Sequence, residues 1–179
     1  LQGVQYFRNT RFDSAAAAFR EAIAIDSSFA IAHTYLNQAL GWTGGSNAER
    51  VTEALTGQRH LRPGLAPLDS LIIAAVGHYA DTSGSVVSNE RQAYLTAEAA
   101  AQRYPSDAFA RYLYADFRFH TEPRLSDQEA LSLFSRAVDA DSNFAPSYIH
   151  AIEISSRYGA EVAGRLTRAY LSRAPADRE

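Results

Sequence analysis

The five histidines are the residues best equipped for acid, base or metal chemistry, and their spacing sets what they can do. His33, His60, His78, His120 and His150 fall in five different segments. No two stand four apart, the spacing that puts two imidazoles on one helix face around a metal. The stretch "HYADTSGS" from His78 holds His, Asp and Ser together. A nucleophilic serine works from a strained turn with its partners assembled in space, whereas this stretch reads as a polar turn between helices. The glycines of "GWTGGSN" follow no strand and precede no Lys, so they do not form a phosphate cradle. These spacings predict no catalytic residue, no cofactor and no metal ligand.

Composition narrows the field further. His120-Thr121-Glu122 has the His-x-Glu form that zinc-dependent deaminases combine with Pro-Cys-x-x-Cys, but the chain has no cysteine. The same absence excludes disulfides and thiolate metal sites. All 17 basic residues are arginine, the net charge is -3, and no run of like charge occurs. A nucleic-acid partner, which needs clustered positive charge, is therefore not expected. Apolar stretches such as "LIIAAVG" from Leu71 fall far short of the ~20 residues that span a bilayer, so no membrane insertion is expected. A chain of 179 residues that is 46% hydrophobic and 21% charged can bury a core. With neither an initiator Met nor a signal peptide, Leu1 is expected to lie inside a longer chain.

The elements that must position these residues are helical. Apolar residues recur at i, i+3, i+4 and i+7, and no stretch alternates with period two. Turn signals predict helices over 1–9, 13–25, 29–42, 47–61, 67–80, 88–104, 107–119, 127–140, 145–157 and 160–172. Ser126 and Glu129 have the capping-box spacing, and Pro67 and Pro146 suit first turns. "FREAIAIDSSFAIAH" from Phe19 returns as "FSRAVDADSNFAPSY" from Phe134, with Ala22/Ala137, Asp26/Asp141, Ser27/Ser142, Phe29/Phe144 and Ala30/Ala145 at equal offsets. Repetition of this kind predicts an array in which successive helix pairs stack into one core.

These positions resemble the tetratricopeptide repeat, with Gly-x2-Tyr in a first helix and Ala-x3-Phe in a second. Gly3-x2-Tyr6, Ala15-x3-Phe19 and Ala22 fit one repeat; Ala130-x3-Phe134 and Ala137 fit another; Ala93, Ala97, Ala100 and Pro105 keep the spacing without the aromatic. The helix at 47–61 lacks Ala-x3-Phe, and the last helix has Gly164 and Arg168 at those places. The resemblance implies an all-α, right-handed helical-hairpin solenoid of about five pairs, at 1–25, 29–61, 67–104, 107–140 and 145–172. It implies one repeat domain over 1–179, truncated at its N-terminus. The segments "HLRPGLAPLDSLIIAAVGHY", "AAAQRYPSDAFARYLYAD" and "AVDADSNFAPSYIHAIEI" are also similar to the C-terminal repeat region of bacterial eukaryotic-like serine/threonine kinases and related signalling regulators. That similarity implies a soluble domain tethered to a membrane-anchored parent, although no kinase signature occurs in the chain.

In such repeats the first helix of each pair lines the concave face. Carried over, this puts Thr34, Gln38 and Trp42, then Tyr112, Asp116, Phe119 and His120, then Ile149, Glu153 and Arg157 along a groove. The implied function is a non-catalytic module that binds a protein or peptide there, as the sensory or docking region of a signalling protein. Self-assembly of the repeats into homo-oligomers or filaments is the alternative. Two physical expectations follow: Tyr112 and Phe119 are exposed groove aromatics, and the first helix, lacking an upstream neighbour, frays while 107–157 stays protected.

Overall fold

The computed structural model describes residues 2–173. Leu1 and 174–179, which belong to the expected first helix and the expected 1–179 domain, lie outside the described residues. Ten helices and no strand occur among the described residues: α1 (Gln2–Arg8), α2 (Phe12–Ile25), α3 (Ala30–Thr43), α4 (Asn47–Arg59), α5 (Pro67–Ala80), α6 (Val86–Arg103), α7 (Ala108–His120), α8 (Asp127–Ala140), α9 (Pro146–Ser156) and α10 (Ala160–Arg173). Each helix packs on its predecessor and its successor, which makes five consecutive hairpins.

Helix starts are set by local chemistry. Ser46, Ser85 and Asp107 accept from the backbone N–H three residues on, at 3.1, 3.3 and 2.8 Å. Ser126 and Glu129 complete a reciprocal capping box, satisfying donors the helix itself leaves orphaned. Pro67 and Pro146 stand in first turns, where a missing N–H costs nothing. Gly44, at φ 74°, ends α3 in the left-handed conformation that glycine adopts without a Cβ penalty.

The two copies of the repeated motif fold alike. Asp26 Oδ1 accepts from Ser28 N and Asp141 Oδ1 from Asn143 N, both at 2.9 Å. Phe29 N and Phe144 N each donate back to the carbonyl of that aspartate at 3.0 Å. The small residues of the tetratricopeptide pattern sit where helices cross. Ala15, Ala93, Ala97, Ala130 and Ala137 are buried, and a Cβ at Gly3 would meet the Phe19 ring at 2.8 Å. In α4, where Ala-x3-Phe is absent, Gly57 takes the small-residue role. A Cβ there would lie 2.9 Å from the Ala30 carbonyl oxygen of α3, a backbone atom that cannot yield.

The array bends until its first helix meets its fifth hairpin. Phe7 of α1, fully buried, makes edge contacts with Tyr35 of α3 and Phe109 of α7 at centroid separations of 5.7 and 5.6 Å, and its ring lies 6.3 Å from that of Phe144. Tyr35 stacks on Phe109 at 4.5 Å, and Tyr112 lies 5.7 Å from Phe144. Ala145 N donates to Arg8 O at 2.9 Å, the Arg8 guanidinium is ion-paired with Asp141, and Thr10 Oγ1 is 3.1 Å from the Tyr170 hydroxyl. The concave face is thus filled by the molecule's own aromatics over much of its length. This corrects two expectations. Tyr112 is 1% exposed and belongs to the core, and α1 is clamped rather than left without a neighbour.

The Arg8–Asp141 clamp has a pH signature. Burial pushes the Asp141 pKa up, but the Arg8 and Asn143 hydrogen bonds and the Arg8 charge outweigh burial and hold it below the ordinary carboxylate value. A pKa lower in the folded than in the unfolded state gives stability that is present above the unfolded value, near pH 4, and lost as pH falls through the folded one. Asp141→Asn is therefore expected to be less stable than wild type by on the order of 1–2 kcal/mol near neutrality. The gap should close below about pH 3. Urea midpoints at pH 7, 5 and 3 check this, and a gap that widens in acid contradicts it.

Candidate functional site

Where the aromatic filling stops, α3, α4, α5, α7 and α9 enclose a cavity of about 330 Å³. Gln38, Gly41 and Trp42 line it from α3, Arg50 from α4, Tyr79 from α5, Tyr112, Asp116 and His120 from α7, and His150 from α9. Trp42 reaches it because it stacks on Phe12 at 5.2 Å and sets its ring 5.3 Å from that of His150. Tyr79 is fixed by stacking on Phe117 at 4.4 Å. Burial, with the nearby charges of Asp116 and Glu90, pushes its pKa to about 12, so it remains a neutral phenol throughout the physiological range.

Asp116 is the chemical centre of the cavity. Its side chain is 16% exposed, with Oδ1 3.5 Å from His120 Nε2 and 3.3 Å from His150 Nε2. Burial pushes the Asp116 pKa up, yet the two histidines outweigh that and hold it below the usual value. For His150 burial acts downward, but Asp116 and then Glu153 prevail and raise its pKa. Glu153 Oε2 accepts at 3.0 Å from His150 Nδ1. Arg157 in turn lies 3.7 Å from Glu153 and 2.6 Å from Asp127. The ligand-capable atoms of Asp116, His120 and His150 lie within 4.8 Å of one another, so these three side chains could hold a metal ion.

Arg50 differs from the other charged groups. Its Nε is buried without a hydrogen-bond partner, and its side chain takes part in no ion pair among the described residues. The guanidinium lies over Gly41, where a Cβ would come within 3.2 Å of Nη2. A side chain at this position would press on the guanidinium and oblige it to shift by a few tenths of an ångström.

Of the ten residues expected along a groove, Gln38, Trp42, Tyr112, Asp116 and His120 line this cavity. Phe119, Glu153 and Arg157 surround it, Phe119 through ring contact with His150 at 5.2 Å. Two fall elsewhere. Thr34 is buried between α3 and α4, donating to Ala30 O at 3.1 Å and facing Gly57. Ile149 is half-buried and does not line the cavity, because the register along α9 is one residue off and His150 takes the inward place. Sequence reasoning missed His150, Arg50 and Tyr79. The spacing Asp116-x3-His120 was a readable signal, since it sets a carboxylate and an imidazole on one helix face. A search for paired histidines passes over it.

No helix among the described residues is long and apolar enough to cross a membrane. No protein-family model matches the chain, and no curated protein is similar enough in sequence to match. Among solved structures, the chain is similar to YrrB, described as a TPR protein with an unusual peptide-binding site, with 16% identity, a TM-score of 0.46, and coverage of 97% of this chain and 84% of that one. It is also similar to MamA, with 12% identity, a TM-score of 0.47, and coverage of 96% and 93% respectively. By its own geometry, the chain is an all-α array of helical hairpins with tetratricopeptide spacing.

Proposed function

We propose that the protein is a non-catalytic interaction module that binds a peptide segment carrying an acidic side chain or a free carboxylate, which enters the cavity and pairs with Arg50. The observation that carries this reading is the Arg50 guanidinium: its Nε is buried and unpartnered, at a cavity walled by Trp42 and Tyr79. A buried N–H without a partner is unfavourable, and a carboxylate accepts from a guanidinium in two-pronged geometry. The aromatic walls supply rigid contact area for the neighbouring residues of the segment. The similarity of 60–79, 99–116 and 137–154 to kinase-linked repeat regions supports a docking role within a larger bacterial signalling protein, such as a serine/threonine kinase.

Selection from a random peptide display library tests the reading. Peptides enriched in Asp or Glu, or bound through their C-terminal carboxylate, are expected. Their affinity should fall at least about tenfold in Arg50→Met, since a charge-assisted pair is worth about 1.5–3 kcal/mol. Arg50→Met keeps the stem that covers Gly41. Binders whose affinity is indifferent to Arg50→Met, or no enriched sequence at all, contradict the proposal.

A further inference from the structure

We infer that Asp116, His120 and His150 form a site for one zinc-class divalent ion, with Glu153 orienting His150 from outside the ligand set. The inference stands on geometry and is independent of any partner at Arg50. Asp116 and His120 are four residues apart on α7, so both reach the same point, and His150 approaches that point from α9.

The spacings fit a small tetrahedral ion. Zinc held by nitrogen and oxygen at about 2.0–2.1 Å places neighbouring ligand atoms about 3.3 Å apart. Asp116 Oδ1 stands 3.3 Å from His150 Nε2 and 3.5 Å from His120 Nε2. The remaining separation, between the two imidazoles, lies within the 4.8 Å limit of the cluster. His120, whose side chain is 45% exposed, has solvent on one side into which its ring can adjust.

The outer shell is also in place. His150 Nδ1 faces Glu153 Oε2 at 3.0 Å, the carboxylate–histidine relation that fixes the tautomer and directs the other nitrogen to a metal. In the metal-free protein a proton on Nε2 bridges His150 and Asp116, and a metal ion binding between them would take the place of that proton. With three protein donors, the fourth position opens onto the cavity, as in zinc sites that keep a place for water or a ligand. Exposed His120 marks the access route. The donor set of two imidazoles and one carboxylate, in a chain without Cys or Met, suits zinc, with nickel and copper as its competitors in the affinity series. Calcium and magnesium, which take six or more oxygens, do not fit.

Trp42, the only tryptophan, lies 5.3 Å from the His150 ring and is a built-in reporter for a quenching ion. The full chain is titrated near pH 7.5 with Zn²⁺ alone by calorimetry, and with Co²⁺ by visible absorption and Trp42 fluorescence. One ion per chain is expected, with tetrahedral Co²⁺ bands and quenching that Zn²⁺ reverses. His120→Ala, at an exposed position, should remain folded by far-UV circular dichroism and weaken binding at least about tenfold, and Glu153→Gln should weaken it by about 10–100-fold. His60→Ala should bind as wild type does. Absence of saturable binding, binding that survives His120→Ala, or binding lost in His60→Ala overturns the site. Any of these leaves the Arg50 reading intact, because that reading is measured by metal-free peptide binding.

Discussion

The Tyr112→Ala, Phe119→Ala double variant is expected to lose a large part of its folding stability. Tyr112 is 1% exposed and stands among Phe109, Phe134 and Phe144 at ring separations of 6.4, 6.4 and 5.7 Å. Phe119 packs edge-on against Phe134 at 6.0 Å. Truncating a large buried aromatic costs about 3–5 kcal/mol through lost transfer energy and the cavity left behind. A domain of this kind is stable by only about 5–15 kcal/mol in total. Both side chains share Phe134, so the two losses couple, but even half their sum consumes much of the margin. Tyr158→Ala, at an exposed position, is the control and should lie within about 0.5 kcal/mol of wild type. Urea unfolding followed by far-UV circular dichroism measures all three. A double variant with a wild-type midpoint would mean that the concave face is open after all.

The second expected result compares two phenylalanines in the same sequence motif. Phe144→Ala should destabilise by about 3–5 kcal/mol, whereas Phe29→Ala should cost less than about 1 kcal/mol. Each closes the same aspartate turn through the same backbone bond at 3.0 Å. Phe144 is nevertheless 1% exposed and Phe29 45% exposed. The difference comes from what lies opposite: Phe144 is covered by Phe7, Phe109 and Tyr112, with the Arg8 guanidinium 5.7 Å from its ring. Phe7→Ala should therefore reproduce most of the Phe144→Ala effect. Equal costs at Phe29 and Phe144 would refute the clamp between α1 and the fifth hairpin.

The pair Phe29 and Phe144 also marks the limit of what the sequence discloses. Helices, caps and turns are written in short-range patterns: Ser126 with Glu129, Asp26 with Ser28, Ala15 with Phe19. These are decided within a few residues, and the structure realises them. How strongly successive hairpins bend is set by many small choices at crossings such as Gly57 on Ala30 and Gly3 on Phe19. No single motif states their sum. Five of the ten residues that the sequence reading set along a groove line one cavity, but the reading misjudged whether that face is open or filled. The site shows the same division. Asp116 and His120 are one helical turn apart and legible together. His150, 30 residues beyond His120 by numbering, joins them only because α8 and α9 return the chain to α7. Arg50 sits on the second helix of its pair, which the pattern assigns to the outer layer, and Gly41 opens the gap that admits it.

The tie between Arg8 and Asp141 spans 133 positions of the chain, and it changes how the array can fail and how it can evolve. An open stack of repeats melts from its ends, one unit at a time, and tolerates the gain or loss of a unit because each touches only its neighbours. Here the first and fifth hairpins share a hydrogen bond, an ion pair and an aromatic cluster, so the ends are where unravelling is opposed. The closing contacts form only after the loop entropy of nearly the whole chain has been lost, which predicts slow, all-or-none assembly in place of stepwise growth. Repeat number is then no longer free. A hairpin inserted or deleted between α2 and α8 would carry Phe7 away from Phe144, and the molecule would have to find a different way to close.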